Sequence, residues 1–296
     1  SDPLGDIVPR SGFRGCVVGP PVLNTHVLNG LPTPELRTDG GLWGGTKLRS
    51  VTVGQDPTDV LEAVWVEDAI LHGLGVSGAS YEGGDFVGSV WLIDDGRHAF
   101  GTVETELVIS GFIDDGPRSR YSFEHRSMLT EWALVNTCQP NSNGDDSAIV
   151  FQDLHVDTDG TLLEQGSTLY FGCTSGAVGK AAMWGYAPSE VGMEGYQAAT
   201  RAVRADYCGD GVSWTATGTP LYIGDALGIH GLPPAPGMQP EAYWGPDGAA
   251  CLHTPRLFQW EYADVTCSNG VSIPMCEESD GFDTLPGILL WTKPAT

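Results

Sequence analysis

Cysteine, histidine and aspartate are the residue types that supply a nucleophile, its base and the group that orients the base. Cys208 lies between Asp206 and Asp210, with His253 and His125 elsewhere in the chain as bases by type. A catalytic thiolate needs a base within reach and access to solvent, and position along the chain demonstrates neither. Set in the turn Cys208-Gly209-Asp210-Gly211, Cys208 reads first as half of a disulfide. Asp206 has the type of an acid/base carboxylate. It also falls at the C-terminal end of a predicted helix, where the helix dipole disfavours negative charge. A partner is therefore expected for it, either an arginine or the backbone N–H groups of the 209–211 turn.

Other motifs are weaker. His155-Val156-Asp157-Thr158-Asp159-Gly160 resembles part of a calcium loop, with Asp157 and Asp159 as candidate ligands. The first and last places of that loop would be His155 and Gly166, which do not suit calcium, so an Asp-Gly turn between strands is the better reading. Gly73-Leu74-Gly75-Val76-Ser77-Gly78 is formally G-x-G-x-x-G, but further glycines follow where a dinucleotide site needs a helix. Neither Ser77 nor Ser175 has the glycine flanks of a nucleophile elbow. No C-x-x-C, H-E-x-x-H or H-x-H occurs. No cofactor is expected beyond the weak calcium candidate. Trp184, Tyr186, Trp214 and Trp244 are either core residues or an aromatic platform for sugars or peptides.

The elements that would position these residues are mainly strands. The 296 residues carry 38 Asp+Glu against 14 Lys+Arg, a net charge of −24. Such a surface repels phosphate backbones and anionic head groups, so neither nucleic acid nor an acidic membrane is an expected partner. No apolar run is long enough for a membrane-spanning helix. Seven scattered cysteines with 41 glycines and 20 prolines suit an oxidising compartment. The start at Ser1 without Met reads as a mature form whose export signal has been removed.

Four regions are expected. Residues 1–50, rich in Pro, Gly and Thr, read as an extended arm. Residues 51–134 alternate in Val64-Trp65-Val66 and Val87-Gly88-Ser89-Val90-Trp91 and read as strands. Within them Gly73, Gly78, Gly83 and Gly88 recur every five residues, each two places after a bulky residue. That period fits either one pentapeptide-like coil or a meander with glycine turns. Residues 135–264 form a third, disulfide-stapled β module with one principal helix near 190–205. Residues 265–296 carry Cys267, Cys276 and a terminal strand. Only eight residues separate Cys267 from Cys276, and Asn269-Gly270 and Pro274 can turn the chain, so these two are expected to bridge. The count of cysteines is odd, and Cys16 in the arm is the candidate for a free or intermolecular thiol. An arm that adds a strand to a neighbour's sheet leads to the expectation of a homo-oligomer or filament at the cell surface or outside the cell.

Three blocks in the second half occur in order: Cys173-Thr174-Ser175-Gly176-Ala177-Val178-Gly179-Lys180 followed by Trp184-Gly185-Tyr186, then Arg204-Ala205-Asp206-Tyr207-Cys208-Gly209-Asp210-Gly211, then Trp244-Gly245-Pro246-Asp247-Gly248-Ala249. Over residues 135–256 the chain resembles the ADYC-domain family. The resemblance implies an exported bacterial protein of myxobacterial type with no established activity. In the family pattern cysteines stand where this chain has Ala181 and Ala199, which implies a bridge that this chain has lost. Cys138, Cys173, Cys208 and Cys251 then remain for two bridges, with Cys138–Cys173 and Cys208–Cys251 favoured among the three connectivities. The functional expectation is an exported, non-enzymatic structural or binding protein. Its alternative is a secreted hydrolase of extracellular polymer that uses Cys208, His253 and Asp206.

Overall fold

Along the long strands apolar and polar residues alternate, and burial follows the alternation. In the computed structural model, which describes residues 21–31, 35–54, 56–231, 234, 238–257 and 259–295, Val90–His98 buries Trp91, Ile93 and Asp95 and leaves their neighbours more open. Side chains two apart share one face of a strand, so each strand has one face for the core.

The strands run in chain order as β1 (Val22–Leu23), β2 (Glu35–Arg37), β3 (Thr46–Thr52), β4 (Leu61–Glu67), β5 (Ile70–Gly75), β6 (Ser80–Glu82), β7 (Val90–His98), β8 (Gly101–Ile113), β9 (Arg120–Ser127), β10 (Val135–Asn136), β11 (Ser147–Val156) and β12 (Leu162–Cys173). Helices α1 (Ala177–Ala181) and α2 (Pro188–Arg204) follow, joined by a π-turn over Ala182–Tyr186. Then come β13 (Pro220–Asp225), β14 (Ala242–Gly245), β15 (Gly248–Leu252) and β16 (Leu290–Pro294). The fold is mainly β, as expected.

Three antiparallel sheets result. The largest runs β2-β12-β11-β9-β8-β7-β3, with β10 added on β9. Its end strands β2 and β3 approach each other, so the sheet is nearly closed. Trp91, Ile109, Tyr121, Phe123, Leu169 and Phe171 fill its interior. A five-stranded sheet runs β1-β13-β16-β14-β15. Between these two sheets lies α2, buried from Gly195 to Arg204. Its small residues Ala198, Ala199 and Ala202 let both sheets approach it. Tyr196 packs on Phe151 of β11 at 5.5 Å between ring centroids. β11 and β12 thus have cores on both faces, which is why their inner halves are continuous apolar runs.

The helix expected over 190–205 is present and breaks from helical geometry at Gly192. The short helix and π-turn before it add to the one principal helix expected, in a stretch that carries Gly176, Gly179 and Gly185. At Gly179 the helix crosses β12 so closely that a Cβ would lie 2.3 Å from the Gly172 carbonyl oxygen.

The five-residue glycine period does not form a coil. β4, β5 and β6 make a three-stranded antiparallel meander; Gly78 turns the chain from β5 to β6, and Gly83 and Gly88, also at positive φ, lie in the link from β6 to β7. The formal G-x-G-x-x-G is the end of β5 and its turn, where Asp59 accepts hydrogen bonds from the Ser77 N–H and Oγ and from the Tyr81 hydroxyl.

The described part of the expected arm is extended but lies on its own chain. β1 pairs with β13, β2 with β12 and β3 with β7. The buried Glu35 carboxylate anchors β2 by accepting from the Trp43 Nε1–H at 2.5 Å and the Val156 N–H at 3.0 Å. Cys16 lies outside the described residues. In the segment 265–296, β16 sits inside the five-stranded sheet between β13 and β14.

Candidate functional site

The motif after α2 forms a buried ionic cluster. Ala205 takes a left-handed conformation (φ 52°) that ends the helix and turns Asp206 back beneath it. There the Asp206 carboxylate, wholly buried, meets Arg201 Nη1 at 2.6 Å and Arg204 Nη1 at 3.8 Å. It also accepts from the N–H groups of Asp210 (3.2 Å) and Gly211 (3.1 Å). Both partners named by the sequence argument are therefore present together. Burial pushes this carboxyl above its ordinary range, against the pull of Arg201 and Arg204. Arg201 also donates to the Asp159 carbonyl and to Thr161 Oγ1, tying the β11–β12 turn to the cluster.

Tyr207, next in the motif, stacks on Trp244 at 5.3 Å. Its hydroxyl accepts from the Arg256 N–H at 2.7 Å and lies 3.3 Å from Glu241 Oε1. Arg256 and Glu241 form a second, fully buried ion pair at 2.7 Å. The Arg256 guanidinium also donates to the carbonyls of Ala202 and Val203 at the C-terminal end of α2, the first of which also accepts from the Ala205 N–H. Sequence reasoning missed this pair. Its residues come from the start of β14 and the segment after β15, and only the strand pairing brings them together.

Cys208 is bonded to Cys267, with Cα atoms 5.3 Å apart, and so has no thiol to offer. His253 engages Thr254 Oγ1 at 2.7 Å, and its N–H donates to the Glu241 carbonyl. The three proposed catalytic residues thus do not assemble as nucleophile, base and orienter. Two bridges differ from expectation. Cys267 pairs with Cys208 rather than Cys276, and Cys251 pairs with Cys276 rather than Cys208. Backbone contacts decide this. Ser268 N–H donates to Asp210 Oδ2 at 2.9 Å, which holds Cys267 beside the Cys208 turn. The Leu252 N–H donates to the Pro274 carbonyl and the Cys276 N–H to the Leu252 carbonyl, which holds Cys276 beside Cys251. Cys138–Cys173 is bonded as favoured.

Asp157 and Asp159 hold a hairpin turn, accepting from the N–H groups of Thr158 and Thr161. His155 is directed instead to Glu35 at 2.9 Å. Among the described residues the one grouping of potential metal-ligand atoms is Cys251, Cys276 and Asp280, whose two sulfurs are joined to each other. The aromatic platform also dissolves into core. Trp184, Tyr186 and Trp244 are buried, and Trp214 packs edge-on against Trp260.

Lys180, at the end of the first block, is buried with its Nζ donating to the Asn24 carbonyl at 3.2 Å. Burial lowers its pKa from 10.5 to about 8. Below pH 8 both folded and unfolded chains carry the proton, and the folded chain bears the full cost of burying it, roughly 3 kcal/mol. That cost fades as pH rises towards the unfolded value and is gone above it. Lys180→Met loses a hydrogen bond worth about 1 kcal/mol. It is nevertheless expected to be more stable than the parent at neutral pH, with a lead that shrinks as the pH is raised through 8 towards 10.5. Urea midpoints across that range check it.

Ala181 and Ala199 are both fully buried in the core where α1 and α2 pack together. Installing cysteines at both is expected to form a bridge and raise stability by about 3 kcal/mol for a loop of this length. Mass spectrometry without reductant and a urea midpoint check it.

A pocket opens at one end of the nearly closed sheet, with a volume of about 260 Å³. Alternation dictates its lining. Ile93 and Asp95 of β7, Thr105 and Leu107 of β8, and Phe123, His125 and Ser127 of β9 fall two apart along their strands. Thr46, Leu36 and Phe171 complete the wall. Polar groups gather at the mouth. Arg97 donates to both oxygens of Asp95, at 2.8 and 2.6 Å, and holds that carboxyl down at about 2. His125 is 3.2 Å from Thr137 Oγ1, and burial lowers its pKa. Larger clefts of about 770 and 670 Å³ lie beside α2 and the β4–β6 meander, but they are open and share Asp68, Pro117 and Ser189. No helix among the described residues is long and apolar enough to cross a membrane.

Comparison with known proteins finds no match among curated proteins and none among solved structures. A family model does match, beginning well before residue 135, so that it takes in β7–β9 as well as β11 of the same sheet. The match covers residues 83–258, more than half of the chain, and with the motif residues in one buried cluster the chain belongs to the ADYC-domain family.

Proposed function

We propose that this chain is an exported, non-enzymatic binding protein whose ligand enters the pocket at the end of the eight-stranded sheet. The observation that carries the reading is the pocket's construction: an apolar wall of Leu36, Ile93, Leu107 and Phe171 that also carries a few polar groups, Asp95, Arg97 and His125. Ligand sites are commonly concave and apolar with a few placed polar groups, and the mouth of a β-barrel is a frequent place for them. Three disulfides support an oxidising, extracellular setting. Against the hydrolase alternative, Cys208 is bridged and Asp206 is buried between two arginines.

Thiol titration of the native protein, followed by labelling with a thiol-directed activity probe, tests the non-enzymatic reading. Cys138, Cys173, Cys208, Cys251, Cys267 and Cys276 are expected to be unreactive without reductant. A reactive Cys208 or Cys251 in the native protein would overturn it in favour of the hydrolase.

A further inference from the structure

We infer that the pocket takes an uncharged small amphiphile, with its apolar body against the sheet interior and a single hydroxyl or carbonyl at the mouth. The inference rests on the binding reading above and adds the ligand's class. Three features of the pocket carry it.

The first is a gradient along the strands. On the shared face, Ile109 and Phe123 face each other deepest in the core, and Leu107 stands one step outward between Trp91 and His125. Ile93 comes next, beside Thr105, and Asp95 stands towards the strand end. A ligand entering from the end therefore meets Asp95 and Thr105 before the wholly apolar level of Ile109 and Phe123, with His125 between them. Its own polarity must run the same way, since a buried polar group without a partner costs free energy.

The second feature is size. A cavity of about 150 Å³ lined by Leu, Ile and Phe is enough for benzene. A volume of about 260 Å³ therefore suits roughly ten carbon-sized atoms by the same measure. That is one short chain or one fused bicycle.

The third feature is charge. The Asp95 carboxylate is cancelled by the Arg97 guanidinium gripping both its oxygens. The His125 imidazole, with its pKa lowered by burial, is neutral at neutral pH. The mouth thus presents one carboxylate already held by one guanidinium, with the His98 ring 3.4 Å from the same carboxylate, in a chain of net charge −24. An anion gains no unmatched cation there and meets a repulsive field. A cation would have to displace Arg97 from Asp95. A neutral hydroxyl or carbonyl needs only a hydrogen bond, and the His125 ring nitrogen that does not face Thr137 can supply one.

The lip is apolar as well. Leu129, which lines the pocket, is 53% exposed, and Phe100 is 66% exposed while stacked on His98 at 5.4 Å. Exposed apolar groups rimming a pocket mark an entry for apolar matter.

The test is calorimetric titration of the full chain at pH 7 with 2-naphthol, a neutral bicycle with one hydroxyl. Competition follows with 1-octanol, octanoate and octylammonium, all kept monomeric. Binding at one site per chain is expected, with 1-octanol competing at least about tenfold better than either charged analogue. Thr105→Phe fills the pocket from a half-buried strand position and is expected to weaken 2-naphthol by about tenfold or more. Leu129→Asp places a charge at an exposed lip position that tolerates it, and is expected to weaken binding severalfold with an unchanged thermal midpoint. A charged analogue that competes better than 1-octanol would overturn the ligand class and leave the pocket as a binding site. Full affinity in both variants would overturn the site. If neither 2-naphthol nor any octyl compound binds, both the inference and the binding reading fall.

Discussion

Asp206→Ala is expected to destabilise the chain by about 3–5 kcal/mol, the cost of leaving a buried charge without its partner. Two charges are at stake. Arg201 is 4% exposed and Arg204 8%, and both guanidinium groups face the Asp206 carboxylate. Without it they remain in a site that water scarcely reaches. The turn loses its anchor too, because the N–H groups of Asp210 and Gly211 end on the same carboxylate. Gly211 has φ +84°, and a Cβ there would stand 2.8 Å from the Asp159 Cα, so the turn is closely confined. Asp206→Asn keeps the volume and most hydrogen-bonding capacity while removing the charge, and separates these contributions. It should fall between the parent and Asp206→Ala. Urea denaturation with the disulfides intact gives both differences from the midpoints at constant slope. A loss below about 1 kcal/mol for Asp206→Ala, the level of an exposed ion pair, would show that the cluster is not what holds α2 to its surroundings.

That cluster was partly legible in the sequence, and the reason is local. A carboxylate just past a helix end has few ways to be stabilised, and both arginines lie within five residues of it on the helix's last turns. Alternation at 64–66 and 87–91 likewise foretold strands, because period two is a property of the backbone. The Ala- and Gln-bearing run before Arg204 foretold α2. What failed was long-range. Cys267 and Cys276 are close in sequence, yet each is fixed by a different neighbour, the Asp210 carboxylate in one case and the Leu252 backbone in the other. The arm at 21–50 looked unlike part of a domain because its strands are short and its partners, β7, β12 and β13, come much later in the chain. The glycine period left coil and meander open, because turns of a regular meander recur at regular spacing, as coils do. The pocket was invisible for a related reason. Ile93, Leu107 and Phe123 each fit an ordinary core pattern, and only the register of three strands places their neighbours Asp95, Thr105 and His125 around one opening.

Removing the Cys208–Cys267 bridge by alanine at both positions is expected to cost about 4 kcal/mol by loop-closure entropy. The bridge closes a loop with a sequence separation of 59, the longest of the three. Within that loop lie β13, β14 and β15, so the crosslink restricts the unfolded form of most of the five-stranded sheet. Cys251–Cys276, at a separation of 25, spans only the end of β15 and the following loops, and its removal should cost roughly 3 kcal/mol on the same scale. The ordering of the two double-alanine variants tests the connectivity as well as the energetics. Had Cys267 been bonded to Cys276, each pair of substitutions would break one cysteine from each of two bridges and leave two unpaired thiols. The connectivity found here predicts instead that each variant gains no free thiol on titration under denaturing, non-reducing conditions. Cys208→Ala with Cys267→Ala should also loosen the 209–211 turn, since Ser268 reaches Asp210 from the other side of the bridge at 2.9 Å. Amide exchange should therefore quicken first at Asp210 and Gly211. If it quickens no more there than across β14 and β15, the bridge acts only on the unfolded chain and has no part in holding the Asp206 carboxylate to its turn.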